Sequence, residues 1–214
     1  MSAATSLATS CLPSVDPGAA AALLTVARSE CILGGQKSGK SRRAEQLAAI
    51  WLAQSAAHRA VLLATAHAHD AEMRARIERH RRERSARVPG LQTLEAPPDL
   101  PAAIAQAGGA QTLRVVDCLT LWLTGLCMPG GDGALAAATA ANWQARADDL
   151  LGAIQACPGP IVLVSNEIGL GVVPLGRSTR AFVDALGALN QRVAQVCARV
   201  TFMAAGLPLT LKAS

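Results

Sequence analysis

From residue 30 onward, short apolar runs alternate with longer stretches of helical periodicity. ECIL (30–33), AVLLAT (60–65), TLRVVD (112–117), PIVLVS (160–165) and RVTFMA (199–204) have the length and composition of strands buried on both faces. Between them, SRRAEQLAAIWLAQSA, DAEMRARIERHRRER, GALAAATAANWQARADDLLGAIQA and STRAFVDALGALNQRVAQVC read as helices. The alternation predicts an α/β fold with a mainly parallel sheet flanked by helices. Gly and Pro gather at MPGGDG (128–133) and CPGP (157–160), as loops inside one domain and not as linkers between two. Residues 1–29 are rich in Ala, Ser and Pro with little periodicity, so they are predicted to be an N-terminal extension, partly disordered. Residues 30–214 then form a single domain with one core.

Charge sharpens this picture at one place. The chain carries a formal net charge of +5, and RARIERHRRERSAR (74–87) holds seven Arg against two Glu, so that segment accounts for the whole excess. A local patch of this kind suits phosphate-bearing ligands from nucleotides to nucleic acid. Binding of single strands is disfavoured by the aromatics: there is no Tyr, and none of the two Phe and three Trp lies between Ala53 and Gln111. The six cysteines (Cys11, Cys31, Cys118, Cys127, Cys157, Cys197) are scattered without a CxxC pair, which predicts free thiols in a reducing compartment and no zinc site. The run AAAALLTVA (19–27) is too short to span a bilayer and lacks a basic start. A cytoplasmic protein without membrane insertion is expected.

The chemistry begins at GGQKSGKS, where Gly34, Gly39, Lys40 and Ser41 complete GxxxxGK[ST] directly after a strand run and at the start of a helix. The whole stretch Gly34, Gly35, Gln36, Lys37, Ser38, Gly39, Lys40 and Ser41 is predicted to hold nucleotide phosphates. Backbone N–H groups turn toward the phosphate oxygens, Lys40 reaches the terminal phosphates, and Ser41 holds Mg2+. Such loops draw a second magnesium partner from the end of a neighbouring strand, and Asp117 closes TLRVVD. Asp117 also fits as a cap for a helix starting near Leu119, and both roles are compatible.

His80 stands among the arginines. On a helix Met73, Ile77, His80 and Arg84 share a face, which turns His80 toward protein or a cleft. Pattern alone leaves it open between a structural histidine, part of a nucleic-acid patch and a catalytic group. His67 and His69 lack a third ligand at a recognisable spacing, which argues against a metal site there, and His58 reads as a helix-end residue. Asn166 and Glu167 follow the fourth run at the strand end where ligands of open α/β sheets gather, so a substrate or magnesium role fits them. Glu95 in TLE is either a ligand contact or a surface carboxylate.

Taken in order, GGQKSGKS, ATAHAHDAEMRARIERHRRER, TLEAP, VVDCLTLWLTGL, VSNEIGLGVVP, the R-x-F at Arg180, NQR at Asn190 and the closing GLPLTLK resemble the bifunctional adenosylcobinamide kinase / adenosylcobinamide-phosphate guanylyltransferase family. The resemblance implies a RecA-like P-loop NTPase fold and two reactions. ATP or GTP phosphorylates adenosylcobinamide, and GTP then donates GMP to adenosylcobinamide-phosphate through a GMP-histidine intermediate, giving adenosylcobinamide-GDP and pyrophosphate. By position, that histidine falls on His80. The family's nucleotide contacts fall on the phosphate loop, Ala64, Thr65, Ala66, Arg81, Arg82, Glu83, Arg84, Glu95 and Asp117, and a homotrimer is implied. Rival expectations are a P-loop small-molecule kinase without guanylyl transfer and a RecA-like DNA-stimulated ATPase. The chain departs from the family pattern at Gln36, Lys37, Leu91 and Val183, which bears on finer substrate contacts.

Overall fold

The computed structural model describes residues 24–66, 71–95, 97, 99–127 and 143–213. Thirteen elements run along them: β1 (Ser29–Gly34), α1 (Lys40–Gln54), β2 (Arg59–Ala64), α2 (Ala71–Arg87), β3 (Leu91–Glu95), α3 (Leu100–Gln106), β4 (Thr112–Asp117), α4 (Leu119–Cys127), α5 (Trp143–Ala156), β5 (Ile161–Val164), α6 (Arg177–Val196), β6 (Arg199–Ala204) and β7 (Leu207–Ala213). All five predicted strands are present within a residue of their sequence boundaries. The strands β3 and β7 and the short helix α3 were not among the predicted elements. The strand β1 starts at Ser29, inside the stretch read from sequence as an extension, and the preceding residues dock on the body. Arg28 donates to the Gly159 carbonyl at 2.8 Å, and Arg199 reaches the Thr25 hydroxyl at 3.0 Å.

The seven strands form one sheet in the order β3-β2-β4-β5-β1-β6-β7. Every neighbouring pair is parallel except β6 and β7. Helices cover both faces, which is why the central strands are mostly apolar. Ile32, Leu62, Val115 and Val162 pack with Ala44, Leu47 and Ala48 of α1 on one side. Cys31, Leu63, Val116 and Leu163 pack against α3 to α6 on the other, around Ile104, Leu119, Leu150 and Leu189. The strand β5 lies between β1, which feeds the phosphate loop, and β4, which ends at Asp117. The two halves of the expected magnesium site therefore come from strands that are not neighbours.

Two buried charges explain loop positions that periodicity does not. Arg114 on β4 is fully buried, and its guanidinium donates to the carbonyls of Ile104 (2.8 Å), Thr112 (2.9 Å) and Gly108, closing the turn between α3 and β4. Glu30 on β1 is also fully buried and binds Arg43 (2.9 Å), Thr201 (2.8 Å) and Arg199 (3.2 Å), which ties α1 and β6 to the central strand. A buried charge persists only when its hydrogen-bonding capacity is met, and both groups meet it. Among the described residues no helix is long and apolar enough to cross a membrane.

Candidate active site

Strand register builds the floor of the site. Ala64 pairs with Glu95 on one side and Asp117 on the other, and Asp117 pairs with Val164. Glu95, Ala64, Asp117 and Val164 thus form one row across the C-terminal edge of the sheet, and all four line a cleft of about 480 Å³. The same cleft is lined by Gln36 to Arg42, and by Ile77, His80, Arg81 and Arg84 of α2.

The phosphate loop adopts its turn because two glycines allow it. Gly34 has φ 149°, and a Cβ there would stand 2.5 Å from the Met203 carbonyl oxygen and 2.7 Å from Ser38 Oγ. Gly39 has φ 103° and caps α1, where a Cβ would come within 3.2 Å of Gly206 Cα. Both positions need the left-handed region and a close backbone approach that only glycine permits. Gly206 N donates to Ser38 O at 3.0 Å, so the turn between β6 and β7 braces the loop from outside. Lys40 Nζ donates to Gly35 O at 2.6 Å, with the ammonium folded back over the loop's own carbonyl.

The titrating groups are coupled across the cleft. Burial pushes the Asp117 carboxyl above its ordinary value, opposed by a hydrogen bond from Ser41 and by the charges of Arg84 and Lys40. Burial likewise lowers Lys40, partly offset by nearby Cys118 and Asp117. Ser41 and Asp117 place two hard oxygen donors side by side, the ligand chemistry Mg2+ requires. They fit the residues a nucleotide-bound magnesium would use.

The helix α2 carries the arginine segment. His80 is exposed and opens onto the cleft, while Ile77 and Arg84 on the same face are half-buried. The Met73 side chain, and residues His67 and His69, lie outside what the structure describes. Arg84 reaches Thr93 Oγ1 at 3.4 Å and Glu45 of α1 at 3.8 Å, and Arg87 binds Glu45 through two bonds of 2.7 and 3.1 Å. Arg81 pairs with Glu95 at 3.6 Å.

The remaining predicted residues sit around the cleft. Gly34 and Gly35 form the base of the loop, behind the lining residues. Thr65 is buried, and its hydroxyl donates to Cys118 O at 2.6 Å and accepts from Cys118 N at 2.9 Å, joining the ends of β2 and β4. Arg82 and Glu83 are exposed on the outer side of α2, where Glu83 pairs with Arg87 at 3.6 Å. Asn166 lines the cleft and is bound through its backbone N and Nδ2 to Thr120 Oγ1 at 2.9 and 3.1 Å, while its carbonyl accepts from Asn190 at 3.0 Å. Glu167 lies outside the cleft lining: its backbone N–H donates to Gly34 O at 3.1 Å and its carboxylate accepts from Gly169 N at 3.0 Å. Sequence reasoning missed Arg42, Thr93, Cys118, Leu121 and Val164 as lining residues. Arg42 adjoins the phosphate-loop motif, and Thr93, Cys118 and Leu121 lie inside the TLEAP and VVDCLTLWLTGL blocks, so their positions were readable as signal, whereas Val164 stands in an apolar strand that gives none.

A family model described as "Cobinamide kinase / cobinamide phosphate guanyltransferase" matches residues 31–211. The chain belongs to that family. The family's separated sequence blocks meet here: Thr120 comes from DCLT, Asn166 from SNE and Asn190 from NQR. The Pseudomonas aeruginosa protein named bifunctional adenosylcobalamin biosynthesis protein CobP is 45% identical over 183 residues, which is 86% of this chain and 96% of that protein. The Salmonella typhimurium bifunctional adenosylcobalamin biosynthesis protein CobU is 34% identical over 103 residues, covering 46% of this chain and 57% of that protein. The Escherichia coli protein of the same name is 38% identical over 68 residues, 32% of this chain and 38% of that protein. As a member of the cobinamide kinase / cobinamide phosphate guanyltransferase family the chain is an enzyme of cobalamin biosynthesis, with an α/β P-loop fold.

Proposed function

We propose that this enzyme performs both family reactions in the one cleft, with the phosphate loop holding the nucleotide and His80 accepting GMP. The observation that carries the reading is the common lining: Lys40 and Ser41 from one helix, His80, Arg81 and Arg84 from another, and Asp117 from the sheet all face the same 480 Å³ space. In the kinase step the loop and Lys40 hold the triphosphate of ATP or GTP while the aminopropanol hydroxyl of adenosylcobinamide loses its proton and takes the γ-phosphoryl group, with ADP or GDP leaving. Ser41 and Asp117 would hold Mg2+, which supplies charge neutralisation on the phosphates.

In the second step a ring nitrogen of His80 attacks the α-phosphorus of GTP. A P–N bond forms, the α–β P–O bond breaks, and pyrophosphate leaves. A phosphate oxygen of adenosylcobinamide-phosphate then attacks the same phosphorus, displaces His80 and yields adenosylcobinamide-GDP. Arg81 and Arg84 suit this chemistry because planar guanidinium forks grip phosphate oxygens in pairs and stabilise the charge that builds on them. Asn166, held by Thr120 and Asn190, is the acceptor contact. Glu167, engaged with Gly34 and Gly169, acts through the shape of the loop.

The arginine segment serves this triphosphate and not nucleic acid in our reading, because Arg84 and Arg87 are drawn toward Glu45 and Arg81 toward Glu95. A cytoplasmic homotrimer is part of the same proposal. Its physical support is the outer row of β7, where Leu207, Leu209 and Leu211 are each more than half exposed on an edge strand, the kind of surface that pairing or subunit contact covers. Product analysis with adenosylcobinamide and GTP tests the function. A GDP-linked corrinoid with released pyrophosphate is expected, and a phosphate ester as the sole product would leave only the kinase.

A further inference from the structure

We propose that Glu45 is the positioning residue that sets where His80 stands along the cleft. The inference rests on the reading of His80 as GMP acceptor and adds a residue that neither the phosphate-loop motif nor the arginine segment contains.

Glu45 is 5% exposed and lies on α1, five residues beyond Lys40. Both its carboxylate oxygens are engaged by α2. Oε2 accepts from Arg87 Nε at 2.7 Å, and Oε1 accepts from Arg87 Nη2 at 3.1 Å and faces Arg84 Nε at 3.8 Å. The helix's other described polar ties run to the edge strand β3, from Arg84 to Thr93 at 3.4 Å and from Arg81 to Glu95 at 3.6 Å, so Glu45 is what joins it to α1. Among its described side chains only Ile77 and Arg84 are even half-buried, and firm burial resumes at Val88, just past the helix end. Arg84 follows His80 by four residues and Arg87 by seven, one and two turns along the same side. Two ties at those heights fix both the rotation and the rise of α2 relative to the helix that carries the phosphate loop. A slip of one residue would move His80 about 1.5 Å along the axis and turn it about 100° around it.

The chemistry of the pair favours this role over plain stabilisation. Glu45 is buried but Arg87 is 41% exposed, so the pair contributes little net stability, while its two-bond guanidinium–carboxylate fork fixes orientation as well as distance. Glu45 is therefore suited to transmit the position of the phosphate loop to His80. The kinase step, which uses the loop without His80, does not need it.

The test compares Arg87→Gln and Glu45→Gln in the full-length enzyme; Arg87→Gln cuts the tie from the side remote from Asp117. Single-turnover labelling by [α-³²P]GTP is expected to slow about tenfold to a hundredfold in both, the scale of a misplaced reacting group. The turnover of the kinase step should stay near wild type, and Arg87→Lys should recover part of the labelling rate. Kinase and labelling falling together, labelling unchanged in either variant, or loss in Glu45→Gln alone would each overturn the proposal. If the wild type takes no label, the reading of His80 fails separately. Glu45 is then judged by amide exchange over Ala71–Arg87, which must accelerate in both variants with α1 unaffected; unchanged exchange overturns its role.

Discussion

Lys40 and Asp117 face each other across the loop with opposite displacements from their ordinary ionisation, both driven by burial. Removing the Lys40 ammonium costs one hydrogen bond, to Gly35 O, and the positive charge beside Asp117. Lys40→Ala should lower kinase turnover about a hundredfold to a thousandfold, the loss typical of one electrostatic donor on a transferring group. For Asp117 the sign follows from linkage. Its folded-state value is raised, so the apo enzyme retains a proton that the unfolded chain has released, and stability falls as pH climbs from 3.8 through the raised value. Melting curves across that window should show the decline in the wild type and its absence in Asp117→Asn. Magnesium–nucleotide needs the ionised carboxylate, so binding within that pH window should release a proton, visible as a buffer-dependent heat in calorimetry, and Asp117→Asn should abolish that dependence. The residues of the phosphate loop were legible in the sequence because their spacing is contiguous and the chemistry local. Glu45 was not, because its meaning depends on Arg84 and Arg87 arriving from a different helix.

At the scale of elements, the central strands were readable because burial on both faces leaves unbroken apolar runs. The strand β3 was not, since LQTLE at the sheet edge mixes polar and apolar positions and only Leu91 is buried. The strand β7 is more instructive. LPLTLKA alternates, which would place the leucines inward, yet Leu207, Leu209 and Leu211 face out while Pro208, Thr210 and Lys212 are the half-buried row. Side-chain period 2 makes register decide every facing, and register comes from the hairpin with β6 and not from composition. The same hairpin holds the phosphate loop, where the Met203 carbonyl packs against Gly34 and Gly206 N bonds Ser38 O. Gly34→Ala must relieve both a left-handed φ and a 2.5 Å contact with the Met203 carbonyl. A stability loss of about 1–3 kcal/mol is expected from that strain, read from denaturant midpoints, together with loss of nucleotide binding.

For the whole molecule, the sheet gathers its chemistry at one edge. Strands β1, β2, β3, β4 and β5 each end near the cleft, and both faces of the sheet serve as core. The outward leucines of β7 lie at the far end of the strand order from β3, so a subunit contact there leaves the β3 side of the cleft open to a large acceptor. Replacing Leu207, Leu209 and Leu211 by threonine keeps strand propensity and removes apolar area. It should convert the proposed trimer to monomer in sedimentation equilibrium, and a trimer that persists would move the interface elsewhere. The family could be read from the order of its motifs, but their joint position could not: Thr120, Asn166 and Asn190 are distant in sequence and meet only through the fold. The central claim, that His80 carries GMP in the cleft of the phosphate loop, is tested most directly by incubating the enzyme with [α-³²P]GTP and magnesium and mapping the label. An acid-labile, base-stable label on the peptide containing His80, absent from His80→Ala, is the predicted result; label retained in that variant, or none in the wild type, would contradict it.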